Sequence, residues 1–343
     1  MTAYDVITTG RVGVDLYPQQ IGVPLAEVTT FAKYLGGTAT NVAVQAARLG
    51  SRAAVVTKVG DDGFGPFVRQ ALESFGVDAR WVGTDPTLRT PIVFCEVHPP
   101  DHFPLLFYRE PKAPDLNLTR EDFDLEAVRS AGVFWITGTG LSSEPSRTTL
   151  LNLLPERMDG ARAAVRAGEN RPFGGGLTMP PTVIDLDYRP MFWAASAEAS
   201  RWVRRALENV SVAVGNQEEV EIAVGEREPH RAAQALLELG VELAVVKRGG
   251  EGVLAATRSE VVELPPVRLP VVNGLGAGDA FGGALAHALV QGWELEPALS
   301  LANAAGALAA SRLACADDFG TREEIEATRD CPPSSPSAVG FDA

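Results

Sequence analysis

From Val133 onward, short apolar runs alternate with stretches of helical periodicity, and no other feature constrains the fold as strongly. The apolar runs are VFWITG, PTVIDLDYR, VSVAVGN, LAVVKRG and GVLAAT. The helical patterns lie near residues 144–158, 197–209, 218–224, 230–240, 277–291 and 296–312. Buried strands that alternate with helices are typical of a parallel sheet covered on both faces. The chain is therefore predicted to be an α/β protein with a mostly parallel central sheet flanked by helices.

The first third of the chain departs from this alternation. A strand at residues 5–10 is followed by residues 11–35, which show turns and alternation but no helical period. A helix is predicted at residues 40–50. Residues 89–110 hold two β-rich runs around a Pro/Asp turn, as in an antiparallel hairpin. These β segments predict a small β-sheet appended to the α/β body; the alternative is one α/β domain with irregular loops.

Composition excludes several classes of protein. The chain has 343 residues, 45% of them hydrophobic, and a net charge of −14 without any basic run, which argues against nucleic-acid binding. It shows neither a signal-peptide pattern nor an apolar run of membrane-spanning length, so no membrane association and a cytoplasmic location are predicted. The three cysteines and four histidines are scattered, without disulfide or metal-site spacing.

The run NGLGAGDAF, residues 273–281, places three glycines directly before Asp279 and an apolar helix. It is neither a G-x-G-x-x-G nor a P-loop motif. A glycine-rich turn that runs into a helix directs backbone amides at one point, where they can hold a transferring phosphoryl group. An acid next to such a turn is placed to accept a hydroxyl proton. The alternative, equally good for this segment alone, is an acidic residue that only favours the helix dipole.

Three further segments supply candidate ligand-binding residues, each with a structural alternative. In residues 34–50, a Gly-Gly pair can approach a small ligand and the following asparagine can bind hydroxyls, or the segment is only a turn and a capped helix. In residues 215–225, Asn216 and Glu219 can organise Mg²⁺ at the end of a strand, or they only begin a helix. Residues 245–254 form a turn that can approach a nucleotide, or only a tight hairpin.

The order of these segments resembles that of the PfkB/ribokinase family of carbohydrate kinases: GG-x-x-x-N, N-x-x-E, G-x-x-G and then GAGD. The resemblance covers about residues 4–329, and GAGD is its most specific motif. It implies a ribokinase-like fold with ATP in a groove of the α/β body and a small β-sheet lid over the sugar. Residues 1–330 would form the kinase domain, with lid segments at 11–35 and 89–115, and residues 331–343 a disordered Pro/Ser tail.

The resemblance also implies roles for individual residues. Asp279 is the implied catalytic base, and the amides of Gly276, Ala277, Gly278 and Asp279 are the implied anion hole. The residues implied to hold sugar hydroxyls are Asp15, Gly36, Gly37 and Asn41. Those implied to hold ATP and Mg²⁺ are Asn216, Glu219, Lys247, Gly249, Gly252 and Asn303, with Glu219 reaching the metal indirectly. The implied partners are small molecules, and a homodimer through the lid is possible.

Three positions depart from the family pattern. Asn273 and Gly274 stand where the family often has Asp-Thr, a change that leaves Asp279 as the base but can alter how the anion hole is braced or a metal is held. Lys247 stands where threonine is common, which adds a positive charge near the nucleotide.

Two arginines indicate an acid sugar. Arg109 lies on a predicted lid strand and Arg189 follows a buried strand, and the planar guanidinium group suits a carboxylate. Similar strings hold an acid sugar in the 2-keto-3-deoxygluconate kinase branch of the family. The alternative is that Arg109 faces solvent and Arg189 pairs with Asp185 or Asp187.

Read with these arginines, the resemblance implies ATP-dependent phosphorylation of the terminal (C6) hydroxyl of 5-dehydro-2-deoxy-D-gluconate, a step of myo-inositol catabolism. Three alternatives remain: a 2-keto-3-deoxygluconate kinase, a kinase of a neutral sugar such as fructose or ribose, and a sugar- or nucleotide-sensing protein that has lost turnover.

Overall fold

A computed structural model of the chain describes residues 4–166 and 173–330. The predicted tail at residues 331–343 lies outside them. The strands are β1 Val6–Thr9, β2 Gly13–Pro18, β3 Phe31–Gly36, β4 Ala53–Gly60, β5 Val77–Asp78, β6 Val82–Asp85, β7 Ile92–Cys95, β8 Leu105–Tyr108, β9 Val133–Thr137, β10 Thr182–Asp185, β11 Val212–Asn216, β12 Leu243–Lys247, β13 Val253–Ala256 and β14 Val261–Leu264. The helices are α1 Thr38–Arg48, α2 Phe64–Ser74, α3 Leu125–Ser130, α4 Ser146–Arg166, α5 Ser196–Leu207, α6 Gln217–Val224, α7 Pro229–Glu238, α8 Ala277–Val290, α9 Leu295–Ala310 and α10 Arg322–Arg329.

The main sheet confirms the predicted mostly parallel architecture. Its strand order is β14-β13-β12-β11-β10-β9-β1-β4-β5, with β6 also paired to β4. Within the described part of this main sheet, only the pairings of β13 with β12 and with β14 are antiparallel. Successive strand residues face opposite sides. Val6 therefore packs in the core layer that contains α1, α8 and α9, while its neighbour Ile7 packs in the layer that contains α4, α5 and α7.

A separate four-stranded sheet, called the small sheet below, has the order β3-β2-β7-β8. It combines residues 11–35 with the hairpin predicted at residues 89–110, whose two runs pair antiparallel as β7 and β8. Strand β2 joins the two parts, because it pairs antiparallel with β3 and parallel with β7. The chain enters the small sheet directly from the end of β1, so this sheet stands over the carboxyl edge of the main one.

Several elements were not predicted or differ in extent. Helix α4 continues to Arg166, well beyond the expected end near residue 158. The short elements β5, β6, β14, α3 and α10 were missed, because two to eight residues are too few to display a clear period. In the described part of the chain, no helix is both long and apolar enough to cross a membrane.

Helices α1 and α8 approach each other closely because α8 carries glycine at the contact. A Cβ atom on Gly283 would lie 2.5 Å from the backbone oxygen of Val42 and 2.6 Å from Cβ of Gln45. Only glycine therefore allows this separation. The close approach brings Asn41, on the first turn of α1, beside Asp279 on the first turn of α8.

Candidate active site

A polar cavity of about 230 Å³ opens where the carboxyl ends of β10, β11 and β12 face the small sheet. Ligand sites in open α/β sheets characteristically lie at this edge. The predicted site residues that line the cavity are Asp15, Gly37, Asn41, Arg189, Asn216, Glu219, Lys247, Gly276, Gly278 and Asp279. Gly36 and Arg109 are the predicted residues that line neither this cavity nor the second one described next.

A second cavity of about 770 Å³ adjoins the first one. The two share Asn216, Lys247, Gly274 and Gly278, so they meet at the glycine turn before α8. The predicted residues found in the second cavity alone are Gly249, Gly252, Ala277 and Asn303. The arrangement offers a small polar compartment and a larger compartment with the glycine turn between them.

The glycine turn is held in a conformation that requires glycine. Gly276 is the N-cap of α8 with φ +77°, in the left-handed region, and a Cβ there would lie 2.6 Å from Sγ of Cys315. The first amides of a helix have no acceptor within it. The N–H groups of Ala277, Gly278 and Asp279 therefore point out of the helix end, where an anion can bind.

Asp279 lies at the junction of the turn with the polar cavity. Asn41 Nδ2 donates a hydrogen bond of 2.7 Å to Asp279 Oδ2 and fixes this oxygen, while Oδ1 accepts no hydrogen bond from the described residues. Burial raises the pKa of Asp279, and the Asp187 carboxylate adds to this effect, although the hydrogen bond from Asn41 opposes it. A carboxylate with a raised pKa is a better proton acceptor.

Asp15 enters the same cavity from strand β2 of the small sheet. Tyr17 Oη donates to Asp15 Oδ2 at 3.1 Å, and burial raises the pKa of Asp15 to about 6. Gly36 lies behind this carboxylate, since a Cβ on it would be 2.0 Å from Asp15 Oδ1. Gly37 is at φ +104° against the backbone of Arg11. The Gly-Gly pair is thus required by internal packing, and only Gly37 reaches the cavity.

Asn216 and Glu219 form a capping box at the start of α6. Asn216 Oδ1 accepts from the Glu219 backbone N–H at 2.9 Å, and Glu219 Oε2 accepts from the Asn216 N–H at 2.7 Å. The helix-capping alternative is therefore realised, while Glu219 still lines the polar cavity. No cluster of three or more metal-binding side chains occurs among the described residues. A Mg²⁺ ion fits here only if phosphate oxygens and water supply most of its ligands, which is its usual mode of binding.

Lys247 lies between the two cavities. A Cβ on Gly278 would be 3.2 Å from Lys247 Nζ, so the ammonium group stands beside the glycine turn. Its nearest anionic partner is the buried Asp185, at 4.0 Å. Burial acts to lower the pKa of Lys247, but the carboxylates of Asp185, Glu219, Asp279 and Asp187 together outweigh burial and the pKa is raised. The group therefore stays cationic and is placed to act together with the amides of the turn.

The two arginines predicted to bind a carboxylate occupy different places. Arg189 lines the polar cavity, and its Nη2 lies 3.2 Å from Asp187 Oδ1, so one of the ion pairs considered as an alternative is present. Arg109 is buried outside the cavity, where its Nη2 donates to Asp115 Oδ2 at 2.8 Å and its guanidinium stacks over Phe192. The structure does not bring Arg109 to the other site residues.

Sequence reasoning missed Arg11 and gave Asp185 and Asp187 no ligand role, although all three line the polar cavity. Arg11 follows the predicted first strand directly, and the position after a strand was the one available signal for it. Asp187 has φ +32°, a conformation that is costly for a residue with a side chain and is concentrated at functional sites.

A model of the pfkB family of carbohydrate kinases matches residues 4–166 and 179–322, most of the chain. The chain belongs to the PfkB family of carbohydrate kinases. It is accordingly a phosphotransferase that acts on a sugar. Its fold is ribokinase-like, as the resemblance implied.

Two relatives of this PfkB kinase are both named 5-dehydro-2-deoxygluconokinase. The 5-dehydro-2-deoxygluconokinase of Geobacillus thermodenitrificans is 30% identical over 328 residues, covering 94% of this chain and 92% of the relative. That of Listeria monocytogenes serotype 4b is 30% identical over 329 residues, covering 94% and 95%.

Solved structures show the same fold over nearly the whole chain. A PfkB protein from Polaromonas sp. JS666 has a TM-score of 0.77 at 27% identity, covering 95% of this chain and all of that one. A putative ribokinase II from E. coli, in complex with ATP and Mg²⁺, has a TM-score of 0.79 at 25% identity, covering 94% and 98%.

Proposed function

We propose that this PfkB kinase transfers the γ-phosphoryl group of ATP to the terminal C6 hydroxyl of 5-dehydro-2-deoxy-D-gluconate. The observation that carries the proposal is the position of Asp279, between a polar cavity of sugar size and the glycine turn that opens on the larger cavity. The names of the relatives support the substrate.

In the proposed reaction, Asp279 accepts the proton of the C6 hydroxyl. The hydroxyl oxygen forms a bond to the γ-phosphorus while the bond between that phosphorus and the bridging oxygen breaks, and the electron pair leaves with ADP. The amides of Gly276, Ala277, Gly278 and Asp279 stabilise the charge on the transferred group. Lys247 supplies a fixed positive charge beside the turn.

ATP is proposed to occupy the larger cavity, with Gly249, Gly252 and Asn303 at its wall. Gly252 has φ +91° and no room for a Cβ, which keeps the turn between β12 and β13 close to the cavity. Asn303 holds the opposite wall in place, because its Nδ2 donates to the Pro265 carbonyl at 2.8 Å. Mg²⁺ would neutralise phosphate charge, with Glu219 and water among its surroundings.

In the same proposal, the sugar lies in the polar cavity, with its hydroxyls near Asp15, Asn41 and the Gly37 backbone. The strands of the small sheet form a lid over it. Leu106 and Tyr108 are exposed on the lid, and this apolar surface supports a homodimer through it. Location in the cytoplasm stays a prediction.

The test of the base is the substitution Asp279→Asn. It should lower kcat by about a hundredfold or more, the usual cost of losing a general base, while sugar binding measured by calorimetry persists. Asp15→Asn is the matched control, a carboxylate in the same cavity away from the turn; it should raise KM more than it lowers kcat. Near-normal turnover of Asp279→Asn would refute the assignment.

The substrate is tested by measuring ATP consumption with a panel of sugars. 5-Dehydro-2-deoxy-D-gluconate should give the highest kcat/KM, above 2-keto-3-deoxygluconate, fructose and ribose. Higher kcat/KM with one of the others would assign the kinase to that sugar, and no turnover with any sugar would favour a sensing protein.

A further inference from the structure

Arg11 is one of three cations that line the polar cavity, together with Arg189 and Lys247. It follows β1 at the crossing from the main sheet to the small one, beside the Gly37 turn of the predicted sugar site. Its side chain is buried but lines the cavity. The backbone at Arg11 is therefore held between β1 of the main sheet and β2 of the small sheet, and the Arg11 guanidinium group reaches the polar cavity.

Its hydrogen bonds occupy only one edge of the guanidinium group. Nη2 donates to Thr38 Oγ1 and to both carboxylate oxygens of Asp187, at 3.3 and 3.2 Å. Among the described residues, the buried Nε has no hydrogen-bond partner and Nη1 donates no hydrogen bond either. A guanidinium group carries five donors. The Nε and Nη1 side of the Arg11 guanidinium is thus left without a hydrogen-bond partner among the described residues.

The surrounding groups hold the guanidinium plane in place. The Phe107 ring of β8 lies 5.7 Å from the guanidinium carbon of Arg11. Asp187 is itself anchored, since Thr139 Oγ1 donates to its Oδ2 at 2.8 Å. The cation is therefore preorganised, and this reduces the entropy cost of binding an anion.

Each of the other two cations of the cavity also stands beside a carboxylate. Lys247 pairs with Asp185, and Arg189 stands 3.2 Å from Asp187 and 4.0 Å from Glu219. Carboxylates outnumber cations in the lining, so an anionic substrate has few places to put its charge. Arg109, the other arginine predicted for this role, is paired with Asp115 outside the cavity.

We propose that Arg11, rather than Arg109, binds the carboxylate of the sugar acid and sets the preference of this kinase for acid over neutral sugars. The inference rests on the proposed function for its substrate class. Arg11 would also orient the substrate, because a carboxylate bound at Arg11 directs the opposite end of a six-carbon chain toward Asp279.

The experiment compares Arg11→Lys with Arg109→Lys. Both substitutions keep a positive charge beside the buried aspartate partner, which is Asp187 for Arg11 and Asp115 for Arg109. Both remove the planar set of guanidinium donors. Binding is measured by calorimetry with D-gluconate and with D-glucitol, which have the same carbon chain with and without a carboxylate. Melting temperatures check that each variant is folded.

We expect wild-type protein to prefer gluconate, Arg11→Lys to lose about tenfold or more of its gluconate affinity, and Arg109→Lys to stay within about threefold. The inference would be overturned if only Arg109→Lys lost affinity for gluconate or if both variants lost it equally. It would also be overturned if the wild-type protein did not prefer gluconate to glucitol. Turnover of 5-dehydro-2-deoxy-D-gluconate is measured separately. If gluconate binding depends on Arg11 but turnover is absent, the proposed function fails and the inference stands.

Discussion

Asn273 connects the turn before α8 to the segment after α9. Its Nδ2 donates to the Leu313 carbonyl at 2.7 Å and its Oδ1 accepts from the Leu275 N–H at 3.1 Å. The side chain is fully buried, so both bonds are formed away from water. An aspartate can accept from Leu275 but cannot donate to Leu313. The amide at this departure from the family pattern thus braces the glycine turn from behind.

The prediction at this position is that Asn273→Asp destabilises the protein by about 1–3 kcal/mol, because a buried carbonyl loses its donor and faces a carboxylate. Denaturant unfolding measures the change. Asn303→Asp is the matched control: it removes the same kind of bond, to the Pro265 carbonyl, at a less buried position, and should cost less. Equal stability of Asn273→Asp and wild type would contradict this role.

At the scale of elements, the active site depends on the contact between α1 and α8. Asn41 and Asp279 lie on the first turns of these two helices, and Gly283 sets how closely the helices approach. A shift of either helix moves the proposed base relative to its hydrogen-bond donor. The glycine therefore affects chemistry without touching the cavity.

Gly283→Ala should force α8 away from α1, since its Cβ would overlap the Val42 backbone oxygen. We expect a loss of stability of about 1–3 kcal/mol from overpacking. We also expect kcat to fall by about tenfold or more through the misplaced base, measured well below the melting temperature. Gly63→Ala is the control, because a Cβ there meets nothing within 4 Å. Unchanged kcat in a folded Gly283→Ala variant would show that the helix spacing is not critical.

At the scale of the whole molecule, His287 connects three parts of the chain. Its Nδ1 shares a hydrogen bond of 2.8 Å with Ser51 Oγ, and its Nε2 lies 3.2 Å from Arg322 Nη2 of α10. Burial, aided by the positive charge of Arg322, lowers the pKa of His287 to about 4. Protonation of this residue is therefore coupled to the global stability of the fold.

Since the unfolded chain takes up this proton near pH 6.5 and the folded chain only near pH 4, unfolding free energy should fall as the pH drops through this window. The full contribution of His287 is on the order of 3 kcal/mol. Denaturant unfolding between pH 7 and 4 measures it, and His287→Gln should flatten the curve. Parallel curves for wild type and His287→Gln would contradict the linkage.

The secondary-structure elements and the glycine turn before Asp279 could be predicted from local sequence patterns. Strand and helix periods are local properties, so the alternation after Val133 gave the α/β class and nearly every helix from 144 onward. The same is true of the turn before Asp279, where glycines and an acid stand next to one another. The segments of the small sheet were also identified, but not their pairing, because β2 joins strands that lie far apart in the chain.

Which side chains share the cavity depends on how distant parts of the chain fold together. Asn41 meets Asp279 across 238 positions, and Arg11 meets Asp187 across 176. Arg109 looked as suitable as Arg189 in the sequence, yet a local ion pair with Asp115 holds it outside the cavity. Ion pairing and burial depend on the packing of distant elements, and no local pattern encodes them. For that reason the sequence indicated a sugar kinase, while the assignment of its carboxylate-binding residue required the fold.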